Sequence, residues 1–238
     1  MRRLAALSVA VLALTACSGE QGERAQALLT RAQVAQSKLQ SATYEARMTF
    51  AVDGRRFAMV MNGGGYLKGR RAGDQRLSMR TNGVPGVGAV DMRLLVRGGR
   101  VSMTMNGRSY SVPAPAATAT RQSDWSTTMA DLARFVKRVK VYENRLVNGE
   151  RGATVAGVID TEAMVKMAAA KLSAFGATPD FEDAAGKLGD IHAALFVSER
   201  TGLIRSAVFT MSMAAQGKKA DLELTYRLDS TNTAVPGL

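Results

Sequence analysis

The sequence predicts an α+β domain built on one antiparallel sheet, and three observations carry that reading. Apolar and polar residues alternate over segment after segment, which is the period of a strand with one wet face. The segments are separated by Asp53-Gly54, Asn82-Gly83, Gly98-Gly99, Asn106-Gly107 and Asn148-Gly149, pairs that accept the positive φ of tight hairpin turns. A few other stretches place apolar residues three and four apart, the period of helices laid against such a sheet.

Taken in order, the first element is a helix over residues 24–40, where Leu28, Ala32, Ala35 and Leu39 form an apolar stripe opposite Gln, Lys and Arg. The period then becomes two. Tyr44, Ala46, Met48, Phe50 and Val52 alternate with Thr43, Glu45, Arg47 and Thr49, and a return strand follows Asp53-Gly54 with Phe57, Met59 and Met61. Gly63-Gly64-Gly65 reads as its break, a bulge or turn. Further strands carry Leu77 and Met79, then Val90 to Val96, then Val101 to Met105.

Pro113 to Ala117 is a loop leading to a second helix capped by Ser123 or Asp124, with Trp125, Met129, Leu132, Val136 and Val139 along one side. Strands over Val139–Val147 and Ala153–Ile159 pair across Asn148-Gly149. Thr161 caps a helix running to Phe175, and Pro179 opens another ending near Leu188. Three strands, Ile191–Val197, Leu203–Met213 and Leu222–Leu228, complete about ten strands and four helices.

The N-terminus fixes the expected address. Arg2 and Arg3 precede an apolar run, Leu4 to Leu14, too short for a stable membrane span. Leu14-Thr15-Ala16-Cys17 follows, the apolar-small-small-Cys pattern of a lipobox, in which the Cys thiol accepts a diacylglyceryl group. The expected organisation is a signal peptide over residues 1–16, a lipidated Cys17 with a short tether to residue 23, one domain over 24–229, and a flexible tail over 230–238. The chain holds no other cysteine, so an exported domain would be held by its core alone. Acyl chains on Cys17 would anchor it to the outer face of the cell membrane.

The formal charge is +12, and +10 without Arg2 and Arg3. In the envelope, a basic surface fits anionic headgroups or phosphorylated glycans, and equally an ordinary solvated face. Nucleic acid is not an expected partner at that address.

The sequence offers little for catalysis. His192 is the single histidine and stands opposite the apolar set of its strand, and no G-x-S-x-G elbow occurs. Carboxylates show no ligand spacing, so neither a metal nor any other cofactor is expected. Gly63 to Gly65 does not precede a helix and makes no phosphate loop. The expectation is a protein that is not an enzyme.

Methionine is the unusual feature. Of 13 in the chain, Met48, Met59, Met61, Met79, Met92, Met103, Met105, Met211 and Met213 lie on apolar phases of strands, where β-branched and aromatic residues are usual. Unbranched, polarizable side chains suit a surface that accepts variable apolar partners. They also fill ordinary cores. Both readings stand on the sequence.

The lipobox, short tether, amphipathic helix, long meander and late hairpin together resemble the LppX/LprG lipoproteins of actinobacterial envelopes, which share the LolA-type half-barrel. The resemblance spans residues 24–236. It rests on Ser41-Ala42-Thr43-Tyr44 leading into the first strand, the helix around Trp125 to Val139, the strand-turn-strand from Ile191 to Met213, and the Tyr226 strand running towards Ala234-Val235-Pro236. Relatives commonly place a Trp in the strand before the late turn, where this chain has Phe196-Val197-Ser198.

The resemblance implies a curved half-barrel sheet packed against helices and enclosing a hydrophobic cavity. Its apolar lining would include Met48, Phe50, Met59, Met61, Met79, Met92, Leu94, Met103, Met105, Leu195, Phe209 and Met211. It implies binding or carriage of lipids or acylated glycolipids between membrane and outer envelope, with an envelope transporter as a further partner. Arg55, Arg56, Lys68, Arg70 and Arg71 form one candidate headgroup cluster in hairpin loops. Related half-barrels also act as protein-interaction modules, lipoprotein receivers or envelope-stress sensors, and that is the alternative expectation.

Overall fold

Two-residue turns set the register of most of the molecule. The computed structural model describes residues 3–52, 55–84, 88–111, 133–163, 189–215 and 218–238. Strand β1 (Ser41–Val52) returns as β2 (Arg55–Tyr66), with Val52 opposite Arg55 across Asp53-Gly54. Strands β3 (Gln75–Val84), β4 (Gly88–Arg97), β5 (Arg100–Met105) and β6 (Arg108–Ser111) continue the meander. Asn106 and Gly107 turn β5 into β6 with φ of 48° and 79°, the two positive values a type I′ turn requires.

A 3₁₀ turn at Ala133–Phe135 opens the second half: β7 (Val136–Val147), β8 (Glu150–Ile159), β9 (Ile191–Ser198), β10 (Ile204–Ala215) and β11 (Lys218–Thr231). The strand order is β6-β5-β4-β3-β2-β1-β11-β10-β9-β8-β7 in one 11-stranded sheet, with every pairing antiparallel. Two meander wings therefore join where the last strand pairs with the first. The sheet is open, with β6 and β7 as its edges.

Helix α1 (Arg3–Gln36) covers the second wing. Its buried positions are Ala25, Leu29, Ala32 and Gln36, spaced four, three and four. The expected stripe of Leu28, Ala32, Ala35 and Leu39 is thus rotated: Leu28 and Ala35 are half-buried flanks. The helix stops at Gln36 in a tightened turn, where the Lys38 N–H donates to Ala35 O and the Leu39 N–H to Gln36 O. Leu39 reaches the core from beyond the helix. Ala25, Leu29 and Ala32 form one cluster with Val155, Leu195, Ile204, Ala207, Phe209, Tyr226 and Leu228.

Several expectations are corrected here. Residues 18–23, expected as a short tether, are part of α1. Gly63-Gly64-Gly65 does not break β2, which runs on to Tyr66, and Asn82-Gly83 lies inside β3. Val136 and Val139 belong to β7, not to a helix. Asp160 rather than Thr161 caps the helical turn that follows β8, accepting the Ala163 N–H at 3.2 Å. Strand β6 was not expected and makes the count eleven. The tail is tied down: Val235 is buried, Ser41 Oγ donates to Thr233 O at 2.6 Å, and the Gln40 N–H donates to Asn232 Oδ1 at 2.7 Å. The helices expected around Trp125 and beyond Ala163 lie outside the described residues.

Candidate functional site

Side chains directly opposite one another in paired strands share a face, so the register identifies what each face carries. One continuous rung crosses ten strands: Met105, Met92, Met79, Met61, Ala46, Tyr226, Ala207, Leu195, Val155 and Val141, each opposite the next. The four methionines at its β5 end are consecutive. From Ala46 to Val155 the rung is closed, every residue being buried. Met61 is buried as well, whereas Met79, Met92 and Met105 are only partly covered.

The neighbouring rungs continue the surface. Met59 stands opposite Met48, Phe57 opposite Phe50, and Leu94 opposite Met103. All are partly exposed. The first wing thus presents a broad, methionine-rich apolar face, continuous with the closed core of the second wing, where the main contacts of α1 fall. Leu77, opposite Leu94, shares this face and was missed as a lining residue, although its place in the alternation marks it.

Two expected lining residues are corrected. Leu195 and Phe209 are packed in the closed core with the α1 residues, because they lie on the wing that the helix covers. Met211, opposite Leu222 and Ile191, keeps the same face at the margin of that core. A cavity enclosed by helices is not part of the described structure; residues 112–132 and 164–188 lie outside it.

The expected headgroup cluster does not assemble. Arg55 and Arg56 begin β2, whereas Lys68, Arg70 and Arg71 follow its far end, roughly 40 Å away at the rise of a strand. Arg71 instead serves the β2–β3 turn: its guanidinium lies 4.2 Å from the Tyr66 ring centroid, and its Nε donates to Asp74 Oδ2 at 3.3 Å.

The opposite face of the second wing carries a shallow groove of about 320 Å³, lined by Arg138, Lys140, Tyr142, Val158, His192 and Val208 among others. His192 is exposed there, opposite Thr210 and Val158. No three His, Cys, Asp or Glu side chains come together in metal-binding geometry among the described residues. No helix among them is long and apolar enough to cross a membrane.

No protein-family model matches this chain, and no curated protein matches it. Solved structures do. LprF from Mycobacterium bovis is 12% identical, with 90% of this chain and 95% of that one aligned at a TM-score of 0.53. The Mycobacterium tuberculosis lipoprotein LppX is 13% identical over 88% and 97% of the two chains, at 0.47. A chain of the Pseudomonas aeruginosa MucA/MucB complex aligns at 0.34, 11% identical, over 90% of this chain and 59% of that one. At these identities the likeness concerns architecture, and the LprF alignment carries it: this chain shares the fold of LprF.

Proposed function

We propose that this protein is a lipid-anchored envelope lipoprotein that binds or carries lipids or acylated glycolipids against the methionine-rich wing of its sheet. The observation that supports it is the rung itself, four consecutive methionines that lead out of the closed core, of which Met79, Met92 and Met105 stay partly uncovered. An acyl chain laid on them gains roughly 0.8 kcal/mol for each CH₂ it buries, offset by the cost of ordering the chain. Thioether side chains adapt to acyl chains of different length and kink. Acylation at Cys17 would hold the domain at the outer face of the cell membrane, where an envelope transporter supplies or receives the lipid. The role is carriage without catalysis.

Mass spectrometry of organic extracts, from the chain starting at Ser18 and purified from a lipid-containing host, tests this. The expected result is a near-stoichiometric set of acylated species, reduced several-fold by Met92→Trp or Met103→Trp while the melting temperature holds. A protein that extracts empty would overturn the proposal and leave the protein-interaction module of the same fold as the reading.

A further inference from the structure

Strand β7 is an exposed edge, and helix α1 runs onto it. The Val141 N–H donates to Gln21 Oε1 at 2.9 Å, and Arg24 pairs with Glu143 at 3.4 Å. Cys17 precedes Gln21 by four helical residues, about 6 Å of rise. The residue expected to carry the acyl anchor thus stands about one helical turn before the contact of α1 with β7.

That edge combines exposed cations with exposed apolar side chains. The β7–β8 hairpin carries Lys137, Arg138, Lys140, Arg145 and Arg151 against Glu143 and Glu150. Lys137 pairs with Asp160 and Arg138 with Asp190, while Glu143 and Glu150 pair with Arg24 and Arg205. Lys140, Arg145 and Arg151 have no carboxylate partner among the described residues. Five large apolar side chains among those residues are exposed, and three sit here: Tyr142 at 47% and Val208 at 38% in the groove, and Leu146 at 69% further along β7. Apolar side chains left in water beside unneutralised cations mark a contact surface, and the nearest surface is the one in which the anchor is embedded.

We propose that the β7 edge and its groove dock the protein on a bilayer of anionic phospholipids. Tyr142 and Val208 lie against the interface, where a ring with a polar tip is at home. Lys140 and Arg145, which share the face of Tyr142 by register, face headgroup phosphates. The anchor fixes one point, and this second contact fixes orientation: β6 stands ten strand spacings away, roughly 48 Å along the sheet. The inference rests on the reading that Cys17 is acylated, and is independent of what the methionine wing holds.

The test uses the mature lipoprotein reconstituted in phosphatidylcholine vesicles, with or without phosphatidylglycerol. Because Cys17 is the natural cysteine and is blocked by acylation, a bimane label can be placed at Tyr142→Cys or at Tyr110→Cys, both exposed. Quenching by nitroxide-labelled phosphatidylcholine is expected to be several-fold stronger at position 142 than at 110. The difference should need phosphatidylglycerol and be lost in Lys140→Glu/Arg145→Glu. Equal quenching at the two positions, or quenching at 142 that ignores phosphatidylglycerol, overturns the proposal. The intact mass shows separately whether Cys17 carries acyl chains, and a bare Cys17 also overturns it. Extracted lipid reports on carriage, so the two readings fail independently.

Discussion

The ring of Tyr44 occupies the space that a side chain on Gly63 would need: a Cβ there would stand 2.3 Å from Tyr44 Cζ and Oη. Tyr44 on β1 faces Gly63 on β2 directly, and its ring continues to Tyr226, 6.0 Å away between centroids. Only glycine lets the ring lie flat over the neighbouring strand at the joint between the two wings.

Gly63→Ala is therefore expected to force the ring out of a packed core, at about 1–3 kcal/mol. In a domain of this size each kcal/mol lowers the melting temperature by roughly 2–4 °C. The check is a double-mutant cycle in urea: the same substitution should cost much less in a Tyr44→Ala background. Equal penalties in both backgrounds would remove the ring as the cause.

How legible was this in the sequence? The β1–β2 hairpin was, because strict alternation and Asp53-Gly54 specify one register. The methionine face was too, because alternation assigns faces before any tertiary contact is known. Val136 and Val139 misled, since a spacing of three imitates a helical turn. In the structure the register shifts between Lys137 and Lys140, with Arg138 at φ 50°, and that extra residue turns both valines to one face. They lean over Gly157, where a Cβ would meet Val136 Cγ1 at 2.7 Å. Strand β6 escaped notice because Arg108-Ser109-Tyr110-Ser111 holds one apolar residue, as a short edge strand can. The arginines flanking β2 are neighbours in sequence and opposite ends in space, a distinction only pairing supplies.

That distinction makes Arg71 a test of where headgroup recognition does not lie. Its side chain stacks on Tyr66 and donates from Nη1 to Tyr66 Oη at 3.2 Å. Its Nε bonds Asp74, whose other oxygen accepts the Gly98 N–H at 2.8 Å. Arg71→Gln is expected to cost about 1 kcal/mol, discounted for partial exposure, seen as a lower urea midpoint. The yield of extracted lipid should not change. A selective loss of lipid with unchanged stability would return Arg71 to the binding site.

A second polar cluster ties the β7–β8 hairpin to the β9–β10 turn. Glu150 accepts Ser198 Oγ on Oε1 at 2.5 Å and Arg205 Nε on Oε2 at 3.1 Å, and Arg200 stands 3.6 Å away. Ser198, at 1% exposure, in turn accepts the Thr201 N–H at 3.1 Å. Removing the carboxylate leaves a buried hydroxyl and a mostly covered guanidinium without their acceptor, so Glu150→Ala should cost about 2–3 kcal/mol. Ser198→Ala alone takes away one donor and should cost less, and the double variant should fall short of the sum because both act in one network. Amide exchange at Thr201 should quicken in each single variant, because its acceptor is loosened in one and absent in the other. Additive penalties with unchanged exchange at Thr201 would mean that Glu150 and Ser198 act separately, and that the turn is held by its backbone alone.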